Sequence, residues 1–420
     1  MKKILTIAVL LSLLALPVFA SVTEVMSLGL PAQISGTDQI TRFYPQLISN
    51  FKNTIVFEYD DNPDYWGYTF IGTNVGTLGV VISPSMGIKG DTPSVPASTV
   101  AVPGNSTGLI YATNLGAMNV GASLMFGNSG TGTLYKMVAT VSDKDEVTNG
   151  YSSTTIMLGA SLKVGLPLDL ALSVVLPGYR DSDKLYNTTN GLTDDDYETL
   201  GGMEIGVNAG TKMGNWMFDI GLTLSNVTNE RQDWQDADAN GVPNINTVYT
   251  STDGGLFVDM LAGYNFAATK TLSFIIASGL NIETYAAEKD KTNDKLAGTT
   301  TYSTNANSGM TLNLPLYVAV NCKLNDTWSL MGGINKIVLA YTGQNNKTVS
   351  GTDGTTVSAE SNTSTLNMDN GVVTSIGVTA NIGDLKVQWM LDPMLLLDGP
   401  EFISGNGTSV ATNIALVYNW

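Results

Sequence analysis

The groups in this sequence that are best spaced for chemistry are oxygen-bearing side chains. The stretch DADANG places Asp236, Asp238, Asn240 and Gly241 in the order of the first half of a calcium-binding loop. Hard cations such as Ca²⁺ prefer oxygen ligands. The Glu that ends such a loop is absent, because Thr247 stands at its position. We therefore expect either Ca²⁺ binding by Asp236, Asp238 and Asn240 or a plain turn rich in Asp and Asn.

The sequence lacks the residues on which most enzyme mechanisms depend. It contains no His, which removes the commonest general base and the commonest transition-metal ligand. Its single cysteine, Cys322, has no partner for an intramolecular disulfide, and we expect it to fill space on a strand. Carboxylates alone can catalyse reactions, but the sequence places no pair of them together. We predict that the protein is not an enzyme and takes no cofactor other than the Ca²⁺ considered above.

The net charge argues against one class of partner. The chain has 20 basic and 37 acidic residues, and its formal net charge at pH 7 is −17. Nucleic-acid binding requires a positive footprint on the protein. We therefore expect no nucleic-acid partner.

The elements that must position the charged residues are β-strands, because apolar residues recur at every second position. In the stretch 216–225, Trp216 and Phe218 alternate with Met217 and Asp219, and the stretch 310–323 behaves in the same way. No segment of comparable length has a clean 3.6-residue period. The chain is therefore predicted to be nearly all β. The same alternation is found in 118–127, 154–164, 168–176, 203–212, 256–266, 272–283, 372–382, 385–391 and 410–420.

The spacers between these strands favour a transmembrane barrel over a soluble sandwich. Short spacers, as at 165–168 and 213–215, alternate with long ones, as at 178–198 and 229–253. A closed antiparallel transmembrane β-barrel has this order, with short periplasmic turns and long extracellular loops. The remaining short spacers are near 268–270, 324–327 and 382–384, and the remaining long ones are near 286–306, 343–369 and 392–406.

The number of strands follows from counting back from residue 420. Thirteen strands begin near residue 118, and three shorter segments at 53–59, 65–72 and 78–83 bring the number to about 16. Fourteen is the alternative if two early segments form something else. The stretch 83–108, rich in Pro, Gly, Ser and Thr, is expected to be another outer loop. The barrel is assigned to residues 53–420.

The apolar columns have the composition of a lipid-facing surface. In the stretches that alternate they carry no Lys, Arg, Asp or Glu, and a Lys or Arg at the bilayer midplane costs about 2–4 kcal/mol. Aromatic residues lie beside the short turns, where a membrane interface concentrates them. We expect an aromatic girdle at this end and contact with outer-membrane lipid. The girdle residues are Trp216, Phe266, Trp328, Tyr418 and Trp420.

The opposite columns are small and polar, which is typical of a water-filled lumen. Five acidic and three basic residues among them predict a mild preference for cations, since carboxylates favour cations and Lys favours anions. The alternative is that these charges pair across neighbouring strands and stiffen the wall. The predicted pore-lining residues are Lys163, Asp169, Glu204, Lys212, Asp219, Asp259, Glu283 and Lys386.

The beginning of the chain predicts export. Residues 1–20 combine a basic start, a short apolar run and Ala20 at a plausible cleavage site, which is the pattern of a signal peptide. The apolar run is about 15 residues long, whereas a spanning helix needs about 20. Together with the barrel, this predicts the outer membrane of a Gram-negative-type (diderm) bacterium.

The segment 410–420 resembles the assembly signal of outer-membrane β-barrel proteins, which ends in an aromatic residue after an alternating strand. The resemblance implies that Trp420, Tyr418, Leu416 and Ile414 serve insertion by the barrel-assembly machinery. The last residue of that signal is more often Phe.

The segment 21–52 does not alternate and resembles the N-terminal stretch of the outer-membrane fatty-acid transporter family. The matching features are Leu28-Gly29, Asp38 and Tyr44-Pro45, whereas the Asn-Pro-Ala of that family is missing. The resemblance implies a hatch inside the barrel. The alternative is a periplasmic leader packed beneath it.

These observations are compatible with four functions to different degrees. We predict a porin-like outer-membrane channel for passive diffusion of small polar solutes or ions. The alternatives are a transporter of hydrophobic compounds, which the stretch MLLLDGPEF (394–402) also favours, and a non-channel barrel serving at the cell surface or as a scaffold. An enzyme is disfavoured by the absence of His. The sequence leaves the solute and the oligomeric state open.

Overall fold

The computed structural model shows a closed antiparallel β-barrel, and a short helical segment precedes its first strand in the chain. It describes residues 22–35, 38–60, 65–83, 105–131, 136–137, 144–187, 191–235, 244–289, 302–351, 357–367, 371–391 and 411–420. The predicted signal peptide and the Ca²⁺ ligands Asp236, Asp238 and Asn240 lie outside these residues, as does the stretch 394–402. Among the described residues, no helix is both long and apolar enough to cross a membrane.

The helical segment precedes the strands and consists of two α-helices and two 3₁₀ helices. They are α1 (Val22–Leu28), α2 (Ala32–Ser35), η1 (Asp38–Arg42) and η2 (Pro45–Phe51). Gly29 ends α1 in the left-handed conformation, with φ of 61°, as is common at helix C-termini. Pro45 begins η2, where its missing N–H costs no hydrogen bond.

Eighteen strands follow within the described residues. They are β1 (Thr54–Asp60), β2 (Tyr65–Thr73), β3 (Gly76–Ser83), β4 (Asn105–Asn114), β5 (Met118–Thr131), β6 (Lys136–Met137), β7 (Lys144–Val164), β8 (Leu166–Asn187), β9 (Gly191–Met213), β10 (Trp216–Gln235), β11 (Asn244–Ala267), β12 (Leu272–Lys289), β13 (Tyr302–Lys323), β14 (Trp328–Gly351), β15 (Val357–Asn367), β16 (Val372–Ile382), β17 (Leu385–Leu391) and β18 (Ala411–Asn419).

Sixteen of these strands form the ring, which confirms the predicted fold class. Each pairs antiparallel with its neighbour, and β1 closes the ring on β18 with Thr54 opposite Asn419 and Asp60 opposite Asn413. The two-residue β6 pairs with β7 outside the ring. β15 pairs with β14 from Ala340 onward, whereas the first part of β14, up to Lys336, pairs with β16.

The predicted number of sixteen is right, but its membership differs in one place. Twelve ring strands lie from residue 118 onward, not thirteen, and the sixteenth is β4, whose residues were partly assigned to the outer loop 83–108. The signal of β4 is weak because its inward side chains are apolar as well. Ile110 and Ala112 are buried inside the barrel, while Leu109 and Tyr111 face outward.

The stretches predicted as long loops are in large part strand. β8 and β9 continue their pairing as far as Asn187 and Gly191, through most of the spacer 178–198. The spacers after β10, β12 and β14 likewise begin and end as strand. These strands of 18 to 24 residues exceed the roughly 9–11 residues that a tilted strand needs to cross a bilayer.

The outer face of the barrel is apolar and exposed, as the alternation predicts. Along β10, the outward residues from Trp216 to Leu224 are 36–51% exposed, whereas the inward Met217, Asp219 and Thr223 are 6–8% exposed. Only a lipid environment accommodates such a surface on a closed ring at low cost.

Aromatic side chains gather on the outer face at the short-turn end. Trp216 lies 5.9 Å from Phe218 and 4.8 Å from Tyr264, measured between ring centroids. Phe266 stacks on Phe274 at 5.2 Å. Two further stacks, Trp328 on Trp389 and Tyr418 on Trp420, extend the girdle around the same rim. These rings mark the level of one membrane interface.

Candidate functional site

The lumen at the short-turn end is occupied by residues 22–35 and 38–51, which are called the segment below. α1 packs against β14, β16 and β17, α2 against β10 and β11, and η2 against β2–β5 and β7. These strands lie on opposite sides of the ring. The segment therefore bridges the lumen from wall to wall. The division of the chain at residues 20 and 52 stays a prediction, because residues 1–20 are outside the described structure.

Four glycines on the inner wall provide the space in which the segment sits. A Cβ atom at Gly333 would lie 2.0 Å from the carbonyl oxygen of Leu28, and one at Gly377 would lie 2.2 Å from Oγ of Ser27. On the other side, a Cβ at Gly121 would lie 2.4 Å from the backbone nitrogen of Gln46. A Cβ at Gly159 would lie closer still to the side chain of Gln46, at 1.8 Å from Oε1. Any larger residue at these positions would collide with the segment.

Apolar packing holds both halves of the segment. Ile48 of η2 is fully buried in a cluster with inward residues of β1–β5 and β18, including Phe70 and Ile110. Leu28 and Ile34 are buried in a second cluster with residues of β10–β14, including Met217. The burial of such side chains is the main favourable contribution to docking.

Polar contacts fix the segment in one position. The Tyr44 hydroxyl donates a hydrogen bond to Oδ2 of Asp219 at 2.5 Å, and both residues are buried. The backbone N–H of Thr23 donates to Oε1 of the buried Glu58 on β1. Burial and the nearby Asp219 raise the pKa of Tyr44, so its hydroxyl remains a donor throughout the physiological range.

Replacing Tyr44 with Phe should loosen η1 and η2. The change leaves the buried Asp219 carboxylate without this donor, and such a loss typically costs about 1–3 kcal/mol. We expect the amides of residues 38–51 to exchange hydrogen about tenfold faster or more. The matched control is Tyr111→Phe, which removes an exposed hydrogen bond to the Val75 carbonyl and should leave those amides unchanged. Equal exchange in the two variants would contradict the role of Tyr44.

An ionic contact ties α1 to β17. Nζ of Lys386 lies 2.5 Å from Oε2 of Glu24, which also accepts a hydrogen bond from the Gln388 amide at 2.7 Å. Burial acts to raise the pKa of Glu24, but the charge of Lys386 and the hydrogen bonds from Lys386 and Gln388 outweigh it, so the pKa is lowered from its ordinary 4.5. The carboxylate is therefore ionised at neutral pH.

The docking of α1 should weaken in acid. A group whose pKa is lowered by docking stabilises the docked state above its ordinary pKa, and this stabilisation is lost as the pH falls through the lowered value. A spin label at Met26→Cys, in a Cys322→Ser background, should therefore become progressively more mobile as the pH falls below the ordinary pKa of 4.5. Adding Glu24→Gln should abolish this pH dependence. If the label at position 26 stays immobile below pH 4.5 in the protein that retains Glu24, the prediction is wrong.

The predicted pore-lining residues fall into three groups. Lys386 pairs with Glu24, while Asp219 binds Tyr44, so both hold the segment. Asp169 accepts a hydrogen bond from Ser161 of the neighbouring strand, which is not one of the charge pairs that the wall-stiffening alternative expects. The others are a buried Glu204, the partly buried Asp259 and Glu283 and an exposed Lys212. Lys163 lies near the end of β7, and its side chain is outside the described part of the structure.

The residues that the sequence did not single out are those of the segment and its sockets. Glu24 and Glu58 have no signal of their own, and Tyr44 is noticeable only through the resemblance of Tyr44-Pro45, because each partner is distant in the sequence. Gly333 and Gly377 were noticeable only as small inward residues. For metals, the described residues contain no group of three His, Cys, Asp or Glu side chains placed to hold an ion.

The four residues of the predicted assembly signal lie on or next to β18. Ile414, Tyr418 and Trp420 are exposed on the outer face, whereas Leu416 is only 8% exposed because it packs with Val387 and Ala380 on the neighbouring strands. The N–H of Trp420 donates to the carbonyl of Asn53. Recognition by the assembly machinery stays a prediction.

Comparison with known proteins gives weak likeness only. No family model matches the chain, and no curated protein matches it. Among solved structures, the ferric yersiniabactin uptake receptor FyuA from Yersinia pestis has a TM-score of 0.33 and 9% identity, over 88% of this chain and 80% of that one. The copper transporter OprC has a TM-score of 0.31 and 8% identity, over 80% and 65%. Neither likeness is close enough to carry an argument.

The architecture itself shows to which structural class the protein belongs. A closed antiparallel ring of sixteen strands with an apolar outer face is an outer-membrane β-barrel. The resemblance of residues 21–52 to the fatty-acid transporter family stays a prediction.

Proposed function

We propose that this protein is a transport barrel in the outer membrane of a diderm bacterium, where it passes small polar solutes or ions with a preference for cations. Residues 22–51 obstruct the lumen at the periplasmic end. Passage therefore requires that the segment is displaced, so the pore is gated and not permanently open. This adds a gate to the passive-diffusion channel predicted from the sequence, for which a hatch formed by residues 21–52 was one of two alternatives.

The observation that carries the proposal is the docking of a separate segment onto a partly polar inner wall. A barrel of sixteen strands is wide enough to need water or a plug in its lumen. Here the plug uses hydrogen bonds and an ion pair beside its apolar contacts. Within the described residues, several buried oxygens at this interface have no partner, and each lowers the net stability of docking. They belong to Thr23, Ser27, Gln46 and Gln388.

The preference for cations rests on the charges above the segment. Glu204, Asp259 and Glu283 lie on the inner faces of β9, β11 and β12, further from the short turns than Tyr44. On the basic side, Lys386 is engaged with Glu24 and Lys212 lies at the rim. Carboxylates that line a lumen favour cations over anions.

The alternative of a hydrophobic solute receives no comparable support. Inward apolar side chains do line β2–β5, but Phe70, Val81 and Ile110 pack with Ile48 of η2. They are explained as the docking surface of the segment. We therefore favour polar solutes.

The experiment is conductance in planar bilayers across a salt gradient. We expect the wild-type protein to be closed most of the time and its openings to carry mainly cations, so that the reversal potential shifts toward that of the cation. Asp259→Asn with Glu283→Gln should reduce this shift without changing the frequency of opening. Anion-selective openings, or a complete lack of current even after the segment is displaced, would overturn the proposal.

A further inference from the structure

A row of oxygen-bearing side chains crosses four strands of the inner wall. Asn208 of β9 pairs with Gly221 of β10, Gly221 pairs with Asp259 of β11, and Asp259 pairs with Asn281 of β12. Gly221 lies two residues from the inward Asp219, so it faces the lumen. Residues directly opposite one another on neighbouring strands share a face. The whole row therefore faces the lumen, and we call Asn208, Asp259 and Asn281 the oxygen row.

The oxygen row lies next to the segment, on the side away from the short turns. Leu261 is the next inward residue of β11 toward the short turns, and it packs in the same buried cluster as Ile34 of the segment. Asp259 is one inward position further along the strand. An ion that enters from the long-loop end therefore meets the oxygen row before it reaches the segment.

Two oxygens of the row are shielded from solvent and yet lack a hydrogen-bond partner. They are Oδ1 of Asp259 and Oδ1 of Asn281, which belong to directly paired residues. One is a carboxylate oxygen and the other an amide carbonyl oxygen, and both can only accept. Two adjacent acceptors cannot satisfy each other, so a donor or a cation is needed between them.

A third oxygen extends toward the same place across Gly221. A Cβ atom at Gly221 would lie 2.8 Å from Oδ1 of Asn208 and 3.9 Å from Cβ of Asp259. Because glycine has no side chain, nothing from β10 separates the amide of Asn208 from Asp259 at this level. The oxygens of three strands therefore surround one part of the inner wall.

The charge of Asp259 distinguishes a cation from a neutral donor. Among the residues that the structure describes, none forms an ion pair with Asp259. Its charge instead interacts with that of Asp219, which has the same sign. A water molecule would satisfy the acceptors but would leave this repulsion in place, whereas a cation offsets both.

We propose that the oxygen row binds a partly hydrated Ca²⁺ ion. Ca²⁺ takes carboxylate and amide oxygens in flexible geometry, and waters complete its shell of about six to eight oxygens. The site has one carboxylate and two amides, so it differs from a group of three acidic, His or Cys ligands, of which the described residues hold none. A single carboxylate makes binding weak, as passage requires, because the ion must also leave. The inference rests on the proposed function for the passage of the ion, whereas binding itself needs no current.

The test uses Mn²⁺ as a paramagnetic probe of the Ca²⁺ site in the full-length protein. A nitroxide label at Met260→Cys, in a Cys322→Ser background, lies on the outer face of β11 next to Asp259, because Met260 pairs with the outward Ile220. Mn²⁺ bound at the oxygen row should broaden the spectrum of this label until the site is saturated. Excess Ca²⁺ should reverse the broadening. Ions bound to the acidic long spacers contribute little, since dipolar broadening falls steeply with distance.

Four variants test the ligands one by one. Asp259→Asn should raise the Mn²⁺ concentration for half-maximal broadening about tenfold or more, and Asn281→Asp should lower it about tenfold, because affinity follows the charge of the ligands. The matched control Asp384→Asn removes the same charge from an exposed site in the turn between β16 and β17 and should change nothing. Asn281→Ala separates two roles of the amide. Loss of a ligand weakens Mn²⁺ binding, whereas loss of a hydrogen-bond donor to Asp259 would strengthen it.

The outcomes separate this inference from the proposed function. Binding that is unaffected by Asp259→Asn, or that is stronger in Asn281→Ala, would overturn the Ca²⁺ site. Cation-selective current in planar bilayers without saturable broadening of the label would also overturn the site, but it would support the proposed function. Saturable broadening without cation-selective current would support the site and contradict the proposed function.

Discussion

Replacing Gly333 with Val should open the barrel. The added Cβ would lie 2.0 Å from the oxygen and 2.4 Å from the carbon of the Leu28 carbonyl, both of which are backbone atoms. Overpacking costs about 1–3 kcal/mol even where side chains can adjust, and a helix turn has less freedom. Since 1.4 kcal/mol corresponds to a factor of ten, we expect the open fraction in planar bilayers to rise about tenfold or more.

Gly332→Val provides the matched control for this experiment. Gly332 directly precedes Gly333 on β14 and faces outward, and a Cβ there would meet its nearest atoms at an ordinary 3.5 Å. The variant should therefore conduct as the wild type does. If Gly333→Val were as closed as Gly332→Val, then α1 would not be what obstructs the lumen. Failure of either variant to fold and insert would show up as loss of the folded-barrel band in unheated gel samples.

The sequence predicted strands best where lipid and lumen differ most. On β10 and β13 the outward residues are apolar and most inward residues are small or polar, so the alternation is plain. On β4 it fails, because Ile110 and Ala112 face inward and contact the plug segment. The inner wall is apolar there because it binds a peptide and not water. Alternation reports a difference between two environments, and it disappears where the environments are alike.

The sequence did not predict how far the long strands continue beyond the alternating stretches. Residues 178–198 show no regular apolar alternation in the sequence, although the backbone ladder of β8 and β9 continues to Asn187 and Gly191. Pairing of the backbone depends on the partner strand and leaves little trace in side-chain periodicity. The predicted boundaries therefore follow the membrane and not the strand.

The candidate site was predictable only in part. The alternation along the strands predicts that Asp219 and Lys386 lie on the inner wall, and both do contact the helical segment inside the barrel. What they bind was not predictable, because Glu24 and Lys386 are 362 residues apart in the chain. Such a contact exists only after the ring has closed and returned β17 to the N-terminal segment. A single sequence holds no local signal for it.

Replacing Ile220 with Arg should prevent or strongly impair insertion. Ile220 is 46% exposed on the outer face of β10, between Ala209 and Met260 of the neighbouring strands. It lies four residues from Trp216, near the middle of the apolar band. An arginine at this depth is expected to cost about 2–4 kcal/mol of the folding free energy. Urea titration of the barrel in vesicles, followed by tryptophan fluorescence, measures that loss.

Met213→Arg separates the effect of depth from that of charge. Met213 is 43% exposed on the same face but lies at the turn, opposite Trp216, where an arginine should cost about 0–1 kcal/mol. The protein already has one basic residue on its outer face near an interface. This residue is Lys336, which pairs with the outward Leu316 at the far end of the β14–β16 ladder. Its amine can reach the opposite interface. Equal losses for Ile220→Arg and Met213→Arg would mean that the surface is not graded by depth. The outer face would then be buried against protein and not against lipid.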